Sequence, residues 1–428
     1  MRASEHREVA PTAIDLEGRG VATLEGRELR VPDLFAGERA LVRVEHVSRG
    51  GPVAHARVLK RRALHPDRRE PPCARHESRD GECTGCPLMA LGEEAQREQK
   101  RRMLDRLGLP VAGVRPAPRS LGYRWASKRV AVHTREGLRL GSYVRGSHRV
   151  ASMRACLVDH PAIQRTADAL EDAAARLKVR AWSPRRPEGL RYVWLKTDGR
   201  TVLTTLIWGD EDTSPARRLA EALGTNVQVA VSVQAGSGNA LRGSPPAALR
   251  GAPAIAVPIG DTVVSAGPLG FLQPNPEVAT RAYAELLSDA GGAPLRGALA
   301  FDLYAGAGVT TEALRQSFGR VVPCEAYPES AASLGVPPSD AAAFLRAASK
   351  RPELVVANPP RKGLGPSVCD ELLRLGAPRL HVMACGPKGL ARDLKRLGRD
   401  YTVETLTAYD TLPQTPHVEL VARLVRKA

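Results

Sequence analysis

A single segment sets the architecture of this chain: Leu299-Ala-Phe-Asp302-Leu-Tyr304-Ala-Gly306-Ala-Gly308-Val-Thr-Thr-Glu312. Its apolar start predicts a strand, its glycines predict a tight turn, and the residues after Gly308 predict a helix. A second apolar run, Val321-Val-Pro-Cys-Glu325, predicts another strand and ends in an acid. This is the nucleotide-binding pattern of an open α/β sheet, in which glycines let the backbone approach the ligand and the acid accepts the ribose hydroxyls. The segment therefore predicts a Rossmann-like domain.

The glycine turn has no third glycine, so it does not require a dinucleotide pyrophosphate. That favours S-adenosylmethionine over NAD as the bound nucleotide. Further along, the run Leu354-Val-Val-Ala-Asn358-Pro-Pro-Arg361 predicts another strand, which ends in Asn-Pro-Pro. Prolines at that position would form a rigid wall at the carboxyl edge of the sheet, where ligands bind.

Composition and charge indicate the kind of partner. The 428 residues are 43% hydrophobic, which predicts a globular protein of about two or three domains. The net charge of +17 favours nucleic acid as a partner over an anionic membrane surface, although mutational bias toward arginine would also raise the charge. Aromatic residues make up only 4% of the chain, which argues against a broad stacking platform. The amino terminus lacks an apolar leader, and no segment predicts a membrane span, so we expect a cytoplasmic protein, monomeric by default.

The amino-terminal residues 1–62 predict short strands separated by glycine-rich turns. Five such strands at this spacing are typical of a small barrel of the OB type, with an SH3-like barrel that binds nothing as the alternative. Several basic side chains on these strands would suit an RNA backbone. They are Arg39, Arg43, Arg49, Arg57, Lys60, Arg61 and Arg62.

Four of the seven cysteines predict a metal site, because disulfides are rare in a long cytoplasmic chain. Cys73, Cys83 and Cys86 have the spacing Cys-x9-Cys-x2-Cys, and Cys156 follows later. Four thiolates can hold tetrahedral zinc or an iron–sulfur cluster, and the spacing does not choose between them. A thioredoxin-like redox role is disfavoured, because no βαβ pattern surrounds the cysteines. We place this site in a mixed α+β central domain, residues 63–266.

Residues 93–107 predict a helix that Gly108 ends. The helix is strongly basic, which is typical either of a solvated face or of an RNA contact. Its basic residues are Arg97, Lys100, Arg101, Arg102 and Arg106.

Two segments near the carboxyl terminus carry reactive groups. An apolar strand ends on Cys385, and Gly386-Pro387 leads directly into a helix, whose amino-terminal end would stabilise a thiolate. Glu419 follows a proline-rich turn and enters an apolar strand. A thiolate and a carboxylate together make a nucleophile and a base. The alternatives are a buried structural cysteine and a carboxylate that holds the terminal hairpin.

With these motifs in order, the chain resembles the RNA 5-methyluridine (uracil-C5) methyltransferases, and most closely their iron–sulfur branch that modifies 23S ribosomal RNA. The resemblance rests on Phe271-Leu-Gln273, on Asn358-Pro-Pro-Arg-Lys-Gly363, on Cys385 with its neighbours, and on Pro413-Gln-Thr-Pro-His-Val-Glu419. It implies an amino-terminal TRAM domain, a methyltransferase domain over residues 267–428, S-adenosylmethionine, a [4Fe-4S] cluster, and an RNA substrate that is ribosomal rather than transfer RNA.

The resemblance also implies roles for individual residues. Cys385 would attack C6 of the uracil, and Glu419 would remove the proton from C5. The implied cofactor-binding residues are Gln273, Tyr304, Gly306, Glu325 and Asn358. The implied cluster ligands are Cys73, Cys83, Cys86 and Cys156.

The chain departs from the family pattern at three residues and in one interval. Ala384 and Gly386 flank the cysteine where the family has Ser and Asn, and Asn358 replaces an Asp. The residues between Glu325 and Asn358 barely supply two short helices, so we expect a sheet strand to be missing or reduced. The remaining candidates are expected to be structural: His417, Cys324 and Cys369.

Two other functions fit parts of the sequence. Asn358-Pro-Pro resembles the Asn-Pro-Pro-Tyr motif of amino-group N-methyltransferases, but Arg361 stands in place of the aromatic residue. The pair of Cys385 and Glu419 also argues against that chemistry. The shortened sheet suggests the other alternative, an RNA-binding protein whose catalytic domain is degenerate.

Overall fold

The computed structural model describes residues 3–48, 51–79, 81–236, 238 and 240–428. Its amino-terminal unit is a mixed sheet in which β4 and β6 pair in parallel and the other neighbours are antiparallel. The strand order is β1-β5-β6-β4-β3-β2. The strands are β1 (His6–Val9), β2 (Ala13–Ile14), β3 (Gly20–Leu24), β4 (Arg27–Val31), β5 (Arg39–Val47) and β6 (Val53–Ala63).

Alternation along β5 builds the core of this unit, because successive side chains of a strand point to opposite faces. Ala40, Val42 and Val44 are fully buried and pack with Leu29 of β4. The strand pairing does not establish closure of the sheet, so the OB and TRAM assignments stay predictions. Arg49, one of the predicted basic contacts, lies outside the described residues.

A segment with little regular structure connects this sheet to the rest of the chain. It contains a 3-10 turn at Glu77–Arg79 and leads into helix α1 (Glu93–Arg106) and the short strand β7 (Val114–Arg115). The predicted helix is confirmed to within one residue. Its apolar side packs into the core of the carboxyl-terminal domain, through Ala95, Met103 and Leu104. This part of the predicted central domain, 63–266, therefore shares a hydrophobic core with the carboxyl-terminal strands.

The central domain is a mixed sheet with two helices on one face. The strand order is β10-β9-β8-β11-β12-β13-β14, with β12 and β13 parallel. The strands are β8 (Ala126–Thr134), β9 (Gly137–Tyr143), β10 (Val150–Ser152), β11 (Leu190–Thr197), β12 (Val202–Trp208), β13 (Val227–Val233) and β14 (Ala247–Arg250). The helices are α2 (Pro161–Arg176) and α3 (Ser214–Ala222), and a hairpin follows of β15 (Ile255–Ile259) and β16 (Thr262–Ala266).

The carboxyl-terminal domain is an open, mostly parallel sheet flanked by helices, as the glycine turn predicts. The strand order is β18-β17-β19-β20-β22-β21-β7. The strands are β17 (Gly297–Leu303), β18 (Phe318–Cys324), β19 (Leu354–Ala357), β20 (Arg379–Ala384), β21 (Tyr401–Tyr409) and β22 (Glu419–Arg426). The helices are α4 (Pro276–Leu286), α5 (Val309–Arg315), α6 (Pro328–Ser333), α7 (Ala341–Ala347), α8 (Pro366–Leu375) and α9 (Pro387–Leu397).

The order of this sheet confirms that the interval after Glu325 lacks a strand. Residues 326–353 are all described, and they form only α6 and α7 before β19 begins. Because two short helices occupy the interval, no further strand in the described part of the chain pairs with β18, which is the edge strand of the sheet. The strands that carry the functional motifs lie further inside. They are buried on both faces, as parallel strands between helices are. Among the described residues, no helix combines the length and the apolar character that crossing a bilayer requires.

Candidate active site

A cavity of about 410 Å³ opens at the carboxyl edge of the parallel strands, where ligands bind in sheets of this kind. It collects residues that are far apart in the sequence, because β17, β19 and β20 all end at this edge and β22 begins there. Of the predicted catalytic and cofactor residues, those that line it are Gln273, Tyr304, Gly306, Asn358, Cys385 and Glu419.

The turn after β17 presents its backbone to the cavity. Tyr304 has a φ of 58°, an uncommon conformation for a residue with a side chain, and Gly306 has a φ of 57°. A methyl group added at Gly306 would meet no atom closer than 3.9 Å, so the space beside this backbone is open. Glu325 lies behind the turn, where its carboxylate accepts the Gly306 N–H at 2.8 Å and the Tyr327 N–H at 2.7 Å. An open turn with an acid at its edge fits the ribose and amino-acid parts of S-adenosylmethionine.

Asp302 fixes this turn from below, although the sequence assigned it no role beyond the motif. It is 1% exposed, and its carboxylate accepts hydrogen bonds from the hydroxyls of Thr310 at 2.7 Å and Thr311 at 2.5 Å. Burial raises the pKa of Asp302 to about 6, against the effect of the two hydroxyls. The first acid of the turn therefore ties β17 to α5.

Tyr283 of α4 is a cavity residue that the sequence analysis missed. Its hydroxyl oxygen accepts hydrogen bonds from the amides of Gln273 at 3.2 Å and Asn358 at 3.5 Å. Burial raises the pKa of Tyr283 to about 12, so the phenol is neutral. The hydroxyl therefore joins two predicted cofactor residues. Asn358, which stands where the family has Asp, therefore supplies an amide donor to this phenol.

Cys385 stands half-buried at the end of β20, with its thiol facing the cavity. Burial and then the nearby Glu419 raise its pKa, while Arg361 lowers it through its charge and a hydrogen bond. Desolvation therefore opposes the stabilisation of a thiolate that the helix end was predicted to provide. Gly386 is required here, since a Cβ at that position would lie 2.1 Å from the Arg361 carbonyl oxygen. In this chain the close approach of these two segments leaves no room for the Asn that the family has at this position.

Glu419 is the most perturbed carboxylate of the cavity. It is 6% exposed at the start of β22, and burial raises its pKa to about 8, with Arg361 opposing the shift. A carboxyl with a pKa near neutral pH is suited to proton transfer. His417, on the same loop, is kept neutral because burial and then Arg361 lower its pKa to about 4. It also lines the cavity, and its structural role stays a prediction.

Helix α1 holds the loop that connects β21 to Glu419. The amine of Lys100 is fully buried, where it pairs with Asp410 and donates to the carbonyls of Leu412 at 3.3 Å and His417 at 3.1 Å. One turn earlier, Gln96 donates to the Gln414 side chain at 2.8 Å and accepts its backbone N–H at 2.9 Å. The loop is therefore attached at both ends to a helix that lies more than three hundred residues earlier in the sequence.

This arrangement changes the interpretation of the basic helix. Lys100 faces the interior and is unavailable to RNA. Arg101 and Arg102 both bind Glu98, and Arg106 binds Glu28 of β4. The charges of the helix are thus largely neutralised by neighbours, as on a solvated face.

Replacing Lys100 by Met should destabilise the protein by about 3–5 kcal/mol, because Asp410 would keep a buried charge without a partner. Urea unfolding monitored by circular dichroism would measure this. The control Arg101→Met removes an exposed ion pair and should cost at most about 1 kcal/mol. Equal costs for the two variants would contradict a special role for the buried pair.

The four predicted cluster cysteines lie close together in the fold, although they belong to distant segments of the sequence. Cys73, Cys86 and Cys156 pack around Met89, Tyr123 and Val158 together with Leu412 of the active-site loop, and Cys83 lies within electrostatic range of Cys73. Burial raises the pKa of Cys83, Cys86 and Cys156, to about 11 for Cys156. Four thiols, three of them packed in one apolar cluster, have the donor chemistry of a thiolate-bound centre. Across the described residues, however, no three His, Cys, Asp or Glu side chains are arranged to hold a metal ion.

The other two cysteines are buried, as predicted. Cys324 is 2% exposed and Cys369 is fully buried. Burial raises the pKa of each thiol to about 12, so both are protonated at neutral pH. Neither residue lines the cavity that holds Cys385.

Comparisons with known proteins agree with this geometry. The family model for tRNA (uracil-5-)-methyltransferase matches residues 346–427, which include Cys385 and Glu419. An uncharacterised RNA methyltransferase of Geobacter sulfurreducens is 31% identical over 98% of this chain and 90% of its own length. The 23S rRNA (uracil(1939)-C(5))-methyltransferase of Chromohalobacter salexigens is 29% identical over 96% of this chain and 87% of its own length.

The fold also matches a solved structure. The Pyrococcus abyssi tRNA (uracil-54, C5)-methyltransferase, crystallised with S-adenosyl-L-homocysteine, aligns with a TM-score of 0.72 at 22% identity. The alignment covers 97% of this chain and all of that one. The family follows from the match to the Geobacter relative over nearly the whole chain and from the family model over residues 346–427. This chain belongs to the RNA uracil-C5 methyltransferases, a family of S-adenosylmethionine-dependent enzymes.

Proposed function

We propose that the protein methylates C5 of a uridine in RNA through a covalent adduct between Cys385 and C6 of the uracil. The observation that carries the proposal is the shared cavity, in which Cys385, Glu419 and the nucleotide-binding turn after β17 all present groups to the same space. The meeting of these groups in one cavity also argues against a degenerate catalytic domain. The missing strand would lie outside β18, at the edge of the sheet, and its absence does not remove a wall of the cavity.

The chemistry follows from the weak nucleophilicity of uracil C5. The Cys385 thiolate adds to C6, and the electron pair of the C5–C6 double bond moves onto C5 and O4. S-adenosylmethionine, when bound, would supply the methyl group: C5 would form the new C–C bond with that electron pair, and the S–CH3 bond would break to leave S-adenosylhomocysteine. Glu419 then removes the C5 proton, and the electrons of that C–H bond restore the double bond and expel Cys385. Arg361, which acts electrostatically on both Cys385 and Glu419, stabilises each of them as an anion.

The cofactor would occupy the wall opposite Cys385. We assign its binding to Gln273, Tyr304, Gly306, Glu325 and Asn358, with Tyr283 holding the two amides in place. Glu325 would exchange its contact with the Gly306 N–H for the ribose hydroxyls.

The substrate is proposed to be 23S ribosomal RNA. The 29% identity with the Chromohalobacter enzyme over nearly the whole chain supports ribosomal RNA, while the family model takes its name from transfer RNA. Arg361 is exposed and lines the cavity beside Cys385, where it would bind a phosphate of either RNA. The exposed arginines of the amino-terminal sheet, such as Arg39, would add further phosphate contacts.

Methyl transfer to in vitro transcripts tests the proposal and its substrate. Purified protein with labelled S-adenosylmethionine should label a 23S rRNA transcript, and digestion followed by nucleoside chromatography should place the label in 5-methyluridine. Equal amounts of transfer RNA transcripts should stay unlabelled. Label that appears only in transfer RNA would overturn the substrate, and label in an exocyclic-amine product would overturn the reaction.

For Cys73, Cys83, Cys86 and Cys156 we propose a [4Fe-4S] cluster, with zinc as the alternative. The proposal is supported by the four thiol donors and by the apolar cluster in which most of them pack. Protein purified without oxygen should contain iron and acid-labile sulfide in equal amounts. Zinc without sulfide would favour the alternative.

The rate of methylation should increase with pH and reach no plateau below about 8.5, the ordinary pKa of a cysteine thiol. The nucleophile Cys385 and the base Glu419 must each lose a proton before reacting, and both have raised pKa values, about 8 for Glu419, so both are protonated at lower pH. We expect a decrease of about tenfold per pH unit below the plateau for each group that limits the rate. Single-turnover rates between pH 6 and pH 9 would measure it. A rate independent of pH in this range would contradict the assigned proton transfer.

A further inference from the structure

A cluster of cations surrounds one indole ring on the central sheet. Trp194 of β11 stands opposite Lys128 of β8, and the Lys128 amine lies 3.6 Å from the centroid of the Trp194 ring. Lys196 follows two residues later on the same face of β11, at 5.9 Å from that centroid. The Arg242 guanidinium approaches the ring at 6.0 Å. Three cationic side chains thus converge on the buried Trp194 ring.

This cluster lies on the side of the sheet that α2 and α3 leave free. Val193 and Leu195 alternate with Trp194 along β11, and they pack in the core beneath those helices. Trp194 instead packs with Tyr192, Ile207 and neighbouring residues in a separate group. Lys128 and Arg242 are exposed there, so the cluster is open to a ligand.

No acidic side chain among the described residues acts on the charge of Lys128 or Lys196. The charged groups that act on Lys196 are Lys128 and Arg242, both positive, and with burial they lower its pKa to about 7. Lys196 is 4% exposed, and its amine donates to the carbonyls of Gly267 and Pro268, which are neutral. The indole N–H of Trp194 is buried and has no hydrogen-bond partner among the described residues. Converging cations and a free donor are the features of an anion site.

The cluster adjoins the mouth of the active-site cavity. Lys196 binds the carbonyl of Pro268 at 2.9 Å, and this segment continues into Phe271, which is 71% exposed and lines the cavity. On the other side, Arg242 lies 5.1 Å from the ring of Tyr327, whose backbone N–H binds Glu325. A chain that enters the cavity from this side would therefore pass over the cluster.

We propose that Lys128 and Arg242, beside the buried Lys196, form a binding site for a backbone phosphate of the RNA substrate, next to the nucleotide that enters the cavity. Lys and Arg are the side chains that bind phosphate oxygens, and such contacts fix the position of a nucleic acid without reading its sequence. The inference rests on the proposed function, because it takes RNA as the substrate. It adds the central sheet to the RNA-binding surface and gives the positive charge there a role.

The test compares two substitutions with a matched control. Lys128→Gln and Arg242→Gln each remove one charge from the cluster. Arg217→Gln removes one exposed charge from α3, which covers the opposite face of the sheet. Filter binding with the 23S rRNA transcript over a range of salt concentrations would give the dissociation constant and its salt dependence. S-adenosylmethionine affinity, measured by calorimetry on the same proteins, reports whether the cavity is intact.

Each cluster variant should weaken RNA binding by about tenfold at 0.1 M salt and reduce the slope of log K against log salt by about one. The control should change neither value, and Lys128→Gln should bind S-adenosylmethionine as wild type does. Cluster variants that bind RNA with the affinity and slope of the control would overturn the phosphate site alone. Wild-type protein that binds no RNA would overturn the proposed function, and the site with it.

Discussion

Protein in which Cys385 is replaced by Ala should bind RNA and S-adenosylmethionine normally and form no 5-methyluridine. In the proposed mechanism the thiol is the nucleophile, and without its addition at C6 the C5 carbon would not take a methyl group. Removing a covalent nucleophile costs about 10⁶-fold in rate where this has been measured, so product should be undetectable. Nucleoside chromatography of digested RNA after long incubation would measure the loss.

The neighbouring cysteine Cys369 provides the control. It is fully buried in α8 and protonated, and Cys369→Ala should retain most of the activity. Its removal costs some stability through the small cavity left behind, which a lower unfolding temperature would report. Product formation by Cys385→Ala at more than a trace would show that methylation proceeds without the adduct.

Protein in which Glu419 is replaced by Gln should stall after methyl transfer. Gln is nearly isosteric and cannot take the C5 proton, so the methylated uridine should stay bonded to Cys385. Loss of a positioned base reduces a rate by about 10²–10⁴-fold, which should decrease turnover and let a protein–RNA species accumulate. That species should survive denaturing electrophoresis and require S-adenosylmethionine to reach its full amount.

The double variant Cys385→Ala/Glu419→Gln is the control, and it should form no such species. The burial of Glu419 makes the Gln variant easy to accommodate, since a neutral side chain carries a smaller desolvation cost there. If Glu419→Gln turned over at the wild-type rate, the carboxylate would be a structural group that holds β22, the alternative that the sequence left open.

Local sequence patterns predicted the strands and turns that build the cavity. The turn from Asp302 to Gly308, the acid at Glu325 and the strand ends at Asn358 and Cys385 are each coded by neighbours in the chain. Parallel strands bring their carboxyl ends to one edge, so the meeting of these residues followed from the fold class. The missing strand could also be inferred, because the length of the interval limits what it can hold.

Interactions between distant segments could not be predicted. Lys100 looked like part of a basic surface, and only the folded chain shows that its amine is buried against Asp410. Tyr283 lies in a helix without a motif, and it matters because the turn before α4 and the end of β19 both reach its hydroxyl. The pKa of Cys385 also depends on its surroundings, because burial and the nearby Glu419 raise it, and neither effect can be read from the residues beside the cysteine in the sequence.

The most direct test of the covalent mechanism uses wild-type protein and a 23S rRNA fragment that contains 5-fluorouridine. Fluorine at C5 leaves Glu419 no proton to remove, so the adduct cannot resolve. With S-adenosylmethionine present, proteolysis and mass spectrometry should find one peptide, containing Cys385, that carries a methylated fluorouridine. Methylation of RNA containing ordinary uridine by the same preparation, with no fluorouridine adduct or with the nucleotide on another residue, would contradict the assignment of Cys385 as the nucleophile.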